Sequence, residues 1–173
     1  MLVTCTTLPG TTVDVLSSHT DLNITDLDST GQFSFYAVFD TIGYNTITIT
    51  ASSPGKKTST INYQVYYLPS ADEYTTKAWK LDASGYSELL SNISVRAANK
   101  QVYVVTGTVE QILSDNPQMV VMETGTGSES QKVIIENNTS KTLEVGTYYR
   151  IYADAYGTYD SLPWLQGRYV YTN

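Results

Sequence analysis

The stretch QVYVVTGTVEQILS, residues 101–114, decides how the second half of this chain folds. It is rich in β-branched and aromatic residues, and strict alternation predicts a strand with one face formed by Tyr103, Val105, Gly107 and Val109. The next apolar residue, Ile112, follows after three positions instead of two. An interior glycine with a break in the alternation just beyond it indicates a bend or a bulge. We therefore predict that this strand pairs along both edges and opens a small five-stranded barrel.

A helical segment is predicted just before this strand. Ser70 and Glu73 fit a capping box, as the N-cap and N3 residues of a helix of two or three turns. A second, shorter helical piece is predicted around Tyr86–Leu90. Because residues 68–92 carry apolar side chains that need burial, we expect a helical connector that packs on a domain, with Trp79 as its buried anchor.

The chain beyond the connector is predicted to complete the barrel, in a second domain over residues 93–173. After the opening strand, the predicted elements are the strands 119–123, 132–136 and 147–155, a long loop over 156–167 and the closing strand 168–172. Alternation along the fourth strand separates an inner face, with Tyr149, Ile151 and Ala153, from an outer face, with Tyr148, Arg150 and Tyr152.

The second domain resembles the OB-fold barrels of bacterial exported proteins over residues 97–172. The resemblance is carried by the motifs Val105-Thr106-Gly107-Thr108-Val109, Leu143-Glu144-Val145-Gly146-Thr147-Tyr148-Tyr149, and Leu162-Pro163 followed by Arg168-Tyr169-Val170-Tyr171. It implies a five-stranded OB-type barrel. The segment 137–142 departs from the family pattern, because it is too short for the helix that usually closes the lower end. We expect the helical connector to fill that end instead.

Residues 1–67 are predicted to form a β-sandwich of short strands separated by turns. One strand places Phe33, Phe35, Ala37 and Phe39 on a single face, and the next places Ile47, Ile49 and Ala51 inward. A last alternating strand contains Ile61, Tyr63 and Val65.

This first region resembles the bacterial Ig-like modules found along secreted and surface proteins, over residues 3–67. The motifs are Pro9-Gly10-Thr11-Thr12-Val13, Thr30-Gly31-Gln32-Phe33 and Gly43-Tyr44-Asn45-Thr46-Ile47-Thr48-Ile49. The resemblance implies an Ig-like sandwich without a disulfide bridge, which agrees with the single cysteine, Cys5. It also implies an extracellular or cell-surface location in a bacterium, with the export signal outside this sequence.

The composition argues against a nucleic-acid partner and against a transmembrane segment in this chain. The formal charge is −7, with nine acidic against four basic residues in 1–95 and eight against six in 96–173. Neither half has the basic excess that phosphate binding requires, so we expect no nucleic-acid partner. No apolar run approaches the roughly 20 residues of a transmembrane helix, so none is predicted.

Few residues suit catalysis or metal binding, and we predict neither an enzyme nor a metal or cofactor site. His19 is the only histidine, in a polar loop, so any Ser–His or Cys–His site would have to include it. His19 and Cys5 alone are too few for a zinc site. The turn 26–31 resembles a calcium loop, but Ala37 stands where the bidentate acid is needed. A turn in which aspartate caps the backbone is the simpler interpretation, and a calcium site of another geometry completed by Asp14, Asp21 and Asp40 is left open.

The best candidate binding residues are aromatic. Tyr156, Tyr159 and Trp164 fall in the predicted loop between the last two strands, a position where OB folds bind ligands. Tyr148, Arg150 and Tyr152 share the outer face of the preceding strand, which suits stacking or cation–π contact. Such platforms bind bases or sugar rings, and the acidic charge favours a glycan or a peptide. Packing over a barrel end is the structural alternative for the same residues.

We thus predict a two-domain, all-β protein: an Ig-like β-sandwich over 1–67, a helical connector over 68–92 and an OB-type barrel over 93–173. The leading hypothesis is a non-catalytic extracellular or cell-surface module that serves adhesion, spacing or ligand presentation. The alternative is a carbohydrate- or oligomer-binding module that uses the aromatic loop 156–164. The sequence leaves the ligand and the oligomeric state open.

Overall fold

A computed structural model describes residues 1–25, 27, 29–125, 127 and 130–172. The chain is mostly β, and it divides into two compact units, Met1–Leu68 and Pro69–Asn173. We refer to them as the N-terminal unit and the barrel unit. The predicted connector is therefore part of the barrel unit over nearly all of its length.

The N-terminal unit contains two antiparallel sheets. Its strands are β1 (Leu2–Thr6), β2 (Thr12–Ser17), β3 (Thr20–Ile24), β4 (Gln32–Tyr36), β5 (Gly43–Ser52) and β6 (Ser59–Tyr67). Strands β1 and β4 pair with each other, and the second sheet has the order β3-β2-β5-β6. Both sheets contribute to one core, formed by Val13, Val15, Phe33, Phe35, Ala37, Phe39 and Ile47.

The alternation predicted the core side of β4 and β5, and Val65 of β6 also packs against this core, but Ile61 and Tyr63 on the same face of β6 are exposed. The face with Phe33 and Phe35 is buried, as predicted, and Ile47 is fully buried. On β6, by contrast, Ile61 is 61% exposed and Tyr63 56% exposed. The calcium interpretation of the turn 26–31 depends on Asp26 and Asp28, which lie outside the described residues.

The barrel unit begins with three short helices and one very short strand. These elements are α1 (Ala71–Thr76), β7 (Trp79–Lys80), α2 (Ala83–Ser91) and α3 (Ile93–Ala98). Five longer strands follow: β8 (Val102–Asp115), β9 (Gln118–Thr124), β10 (Gln131–Asn137), β11 (Tyr148–Tyr159) and β12 (Leu162–Thr172). Within the described residues, no helix is long and apolar enough to cross a membrane.

Strand β8 closes the barrel, as the sequence predicted. Its first half pairs with β11 and its second half with β9, and the strand order returns through β10 and β12 to β11. The register with β9 shifts after Val109 and again after Ile112, where the alternation breaks. A Cβ on Gly107 would lie 1.9 Å from the carbonyl oxygen of Glu123. Only glycine therefore permits this approach of β8 to β9.

The connector contributes side chains to the barrel core. Leu81 and Leu89 are buried in the same cluster as the inward side chains of the barrel strands, and Tyr86 and Ile93 pack against that cluster. Ser70 accepts a hydrogen bond from the backbone N–H of Glu73, so the predicted N-cap is confirmed.

Two details of the predicted connector are wrong. The first helix ends at Thr76 instead of continuing for two or three turns, because Trp79 and Lys80 pair as β7 with the start of β8. Trp79 is 47% exposed and is not the buried anchor. Tyr74 and Leu89, both fully buried, take that role.

Candidate functional site

The predicted loop 156–167 is wrong: these residues form most of a β-hairpin. Strand β11 continues to Tyr159 and β12 begins at Leu162, joined by Asp160 and Ser161. Both linking residues have positive φ, 48° and 65°, which matches a two-residue turn of type I′. The aromatic side chains assigned to a loop are therefore held on paired strands.

Three of the predicted ligand residues form one cluster at the end of this hairpin. The rings of Tyr156 and Trp164 lie 4.5 Å apart, and those of Tyr159 and Trp164 lie 6.1 Å apart, both edge to face. Tyr156 is 44% and Tyr159 42% exposed, while Trp164 between them is half-buried. The register of β11 with β12 shifts between Ala155 and Gly157, which leaves Tyr156 in a bulge. We call these three residues the aromatic hairpin cluster.

A lysine that the sequence did not single out completes this cluster. The ammonium nitrogen of Lys100 lies 4.8 Å from the centre of the Tyr156 ring, within cation–π range. Lys100 follows α3 and has a positive φ of 49°. Nothing in the sequence pattern placed it there, because the contact joins the residue after a helix to a hairpin more than fifty positions later.

A sealed charge network lies next to the cluster. Asp154 is fully buried, and its carboxylate accepts hydrogen bonds from Arg168 at 2.7 and 3.3 Å and from the hydroxyl of Tyr74 at 2.9 Å. The ammonium of Lys100 is 3.8 Å from the same carboxylate. Burial, reinforced by the Asp154 charge, raises the pKa of Tyr74 well above its ordinary value. The only sequence signal for the ion pair of Asp154 and Arg168 is that an acid and an arginine lie on neighbouring strands.

The other three predicted residues are not part of the cluster. Tyr148, Arg150 and Tyr152 occupy the outer face of β11, as predicted, and Tyr152 contacts Tyr171 of β12 at 5.9 Å. Along β11, Asp154 lies between this group and Tyr156, and the ring contacts of Tyr152 and of Tyr156 are with different residues of β12. The six candidates therefore form two surfaces and not one.

The two residues considered for catalysis, His19 and Cys5, both lie in the N-terminal unit and not at the aromatic hairpin cluster. His19 pairs with Asp40 at 2.8 Å on the exposed surface of the N-terminal unit, and this hydrogen bond lowers the pKa of Asp40. Burial raises the pKa of the Cys5 thiol, which disfavours the reactive thiolate. Among the described residues, no group of three or more His, Cys, Asp or Glu side chains could hold a metal ion.

The aromatic hairpin cluster has the chemistry of a small binding platform. Its exposed ring surfaces can stack on an apolar face, and the two phenol groups and the Lys100 ammonium can hydrogen-bond to polar groups at its margin. Comparisons with protein-family models, with curated proteins and with solved structures find no match for this chain.

Proposed function

We propose that this chain is a non-catalytic module of an exported bacterial protein, outside the cell or on its surface, that mediates adhesion by binding a glycan at the aromatic hairpin cluster. The observation that carries the proposal is the partly exposed pair Tyr156 and Tyr159, held on either side of Trp164 with Lys100 against the Tyr156 ring. Pyranose rings offer apolar C–H faces with hydroxyl groups around the edge, which fits rings bordered by hydrogen-bonding groups.

The barrel topology supports this choice of site. The strand order β8-β9-β10-β12-β11, closed back onto β8 and with β10 parallel to β12, is the order of an OB fold. OB folds bind oligosaccharides and oligonucleotides with the loop between their last two strands. We propose, accordingly, that the barrel unit is an OB fold and that the N-terminal unit is an Ig-like module.

The charges support a glycan over a nucleic acid. The barrel unit contains twelve acidic and eight basic residues. Two of those basic side chains, Arg168 and Lys100, already face the buried Asp154 carboxylate. Proteins that bind single-stranded nucleic acids combine aromatic stacking with a basic groove, so a stacking site in an acidic unit suits an uncharged or weakly acidic sugar better.

The non-catalytic part of the proposal is supported by the state of the buried charges. Asp154 is fully buried, and Tyr74, Arg168 and Lys100 surround its carboxylate, so it has no access to a substrate. General acid–base catalysis requires a group within hydrogen-bond reach of the reacting atom. The partly exposed phenol groups of Tyr156 and Tyr159 at the cluster can donate and accept hydrogen bonds, which suits recognition of sugar hydroxyl groups.

A glycan array tests the proposal directly. We expect the intact protein to bind a defined set of glycans, and the double variant Tyr156→Ala/Tyr159→Ala to lose at least about tenfold in affinity for each, or about 1.4 kcal/mol. Tyr148→Ala is the matched control, since Tyr148 is also a half-exposed tyrosine of β11 but lies outside the cluster. If the intact protein bound no glycan, a spacing role would replace the proposal. If the control lost as much binding as the double variant, the aromatic hairpin cluster would not be the glycan site.

A further inference from the structure

A continuous cleft runs between β1 and β6 of the N-terminal unit. Its first part, of about 370 Å³, lies between Met1–Cys5 and the side chains of Ile49, Ile61 and Tyr63. A second hollow continues along β1 from Cys5 to Thr7 and shares Ile49 and Ile61 with the first. A third extends from Thr7 to Lys56 and Lys57. The cleft therefore follows the whole length of β1.

One wall of this cleft is an unpaired strand edge. Within the described residues, β1 pairs with β4 alone. Met1 and Ala37 exchange two backbone hydrogen bonds, and the Thr7 N–H donates to Gly31, so the odd-numbered residues of β1 face β4. In an antiparallel ladder the N–H and C=O groups alternate between the two edges. The backbone N–H and C=O groups of Leu2, Thr4 and Thr6 consequently point toward the cleft, where no strand among the described residues pairs with them.

The apolar core of the unit is also incomplete along this cleft. Val3, Cys5 and Ile49 pack against the buried cluster, but each is only partly buried. Ile61 and Tyr63 on the opposite wall are more than half exposed. Covering such apolar surface is favourable, because it removes the surface from water. The addition of one β-strand would pair the free backbone groups of β1 and would also cover the partly exposed apolar side chains.

Two lysine side chains lie at one end of the cleft. Lys56 and Lys57 are the only lysine or arginine residues in Met1–Leu68, against five aspartates, and both lie at one end of the cleft. Neither ammonium group takes part in an ion pair within the part of the chain that the structure describes. A strand that occupied the cleft would therefore gain from acidic side chains at that end and from apolar side chains along the rest.

We propose that the cleft binds an extended peptide segment of a partner protein, by addition of a strand to the free edge of β1. The segment has apolar side chains at every second position, which enter the cleft beside Val3, Cys5 and Ile61. Acidic residues at one terminus face Lys56 and Lys57. Backbone hydrogen bonds to Leu2, Thr4 and Thr6 provide affinity, and the alternate side chains and the charged end provide specificity, as in other cases of strand addition. This site is independent of the glycan site on the barrel.

Synthetic peptides provide the test. Short peptides of alternating valine and threonine, with two glutamates at either the amino or the carboxyl terminus, are titrated into the intact protein by calorimetry. Cys5 is the only cysteine and lines the cleft, so its rate of alkylation by iodoacetamide gives a second readout. We expect one of the two glutamate peptides to bind and to slow alkylation at least about tenfold, and peptides with lysines in place of the glutamates to bind at least about tenfold more weakly.

Variants test separately the free edge of β1, the wall of the cleft formed by β6, and the two lysines at its end. Thr4→Pro removes an N–H from the free edge without the loss of a backbone hydrogen bond to β4, so it should abolish peptide binding. Thr4→Val should retain binding, although both variants lose the hydrogen bond between the hydroxyl groups of Thr4 and Ser34. Ile61→Lys should abolish binding, and Leu16→Lys, at an equally exposed strand position of the same unit, should not. Exchange of Lys56 and Lys57 for glutamate should transfer the preference to the lysine peptides.

Three results would overturn the proposal. The first is that neither glutamate peptide binds, and the second is that Thr4→Pro and Ile61→Lys bind as well as the intact protein. The third is a concentration-dependent dimer in sedimentation experiments that is lost in Thr4→Pro while no peptide binds. That outcome would assign the edge of β1 to self-association.

Discussion

The two units of this protein differ in whether the edges of their sheets are paired. In the barrel unit β8 pairs on both sides and the five long strands return to their starting point. In the N-terminal unit β1 and β6 each have a single partner strand within the described residues. Among the described residues, the barrel core contains fifteen buried side chains and three partly buried neighbours. The N-terminal core contains seven buried side chains and eight partly buried neighbours.

This difference shows how closure affects both stability and recognition. A closed barrel satisfies its own backbone groups and has no edge for another strand, so its ligands must bind on its outer surface or its hairpins. An open sheet retains backbone donors and acceptors that a partner can use. The proposed glycan site and the proposed peptide cleft follow from these two situations.

The largest effect is expected at the residue that permits closure. Gly107→Ala places a Cβ 1.9 Å from the Glu123 carbonyl oxygen, so we expect the barrel unit to lose more than about 4 kcal/mol of its unfolding free energy. Gly157→Ala is the control, since its Cβ would have no atom within 4 Å, and it should change stability by less than about 1 kcal/mol. Both tryptophans lie in the barrel unit, so tryptophan fluorescence in urea reports its unfolding alone. Equal effects of the two substitutions would contradict the role assigned to Gly107.

The next effect concerns the buried charge network beside the aromatic hairpin cluster. Asp154→Ala leaves Arg168 buried without its carboxylate, which should destabilise the barrel unit by about 3 to 4 kcal/mol. Glu110→Ala removes the partner of Lys132 from an exposed pair and should cost less than about 1 kcal/mol. Urea denaturation measures both effects. An equal loss of unfolding free energy in Asp154→Ala and Glu110→Ala would contradict a sealed network.

The connector provides a third comparison, between adjacent leucines of α2. Leu89 is fully buried in the barrel core and Leu90 is 40% exposed. Leu89→Ala should therefore cost about 3 kcal/mol and Leu90→Ala less than about 1 kcal/mol in the same urea experiment. A small effect of Leu89→Ala would mean that the connector does not complete the barrel core.

The opening strand shows how much of this fold the sequence could predict. The alternation around Gly107 correctly predicted the bent strand, and the capping box at Ser70 correctly predicted the start of α1. Both are local signals, because the geometry depends on residues a few positions apart. The exposure of Trp79 was missed, since it depends on the two-residue pairing of β7 with a strand distant in sequence.

The hairpin shows why the candidate site was predicted only in part. Tyr156, Tyr159 and Trp164 were selected correctly as neighbours, but Pro163 and the absence of a glycine at the turn made a loop the natural interpretation. Asp160 and Ser161 adopt positive φ without glycine, which no pattern of residues would have indicated. Lys100 was missed because only the folded chain brings it to Tyr156.

A smaller effect is expected at alkaline pH. Burial, with a contribution from the charge of Glu88, raises the pKa of Tyr103 to about 12. The unfolded chain releases this proton near pH 10 and the folded chain does not, so the stabilisation is complete below pH 10 and is lost as the pH rises from about 10 to 12. Tyr103→Phe should make the stability of the barrel unit less dependent on pH in that range. An unchanged pH dependence in Tyr103→Phe would contradict the shift.

Hydrogen exchange of the backbone amides in β1 and β8 tests the contrast between the open and the closed unit most directly. We predict alternating protection along β1, with slow exchange at Val3 and Cys5, which face β4, and fast exchange at Leu2, Thr4 and Thr6. Slow exchange is predicted on both edges of β8 around Gly107, where it pairs with β9 and with β11. Equal protection of all β1 amides in the isolated protein, or fast exchange along one edge of β8 at this position, would contradict the account.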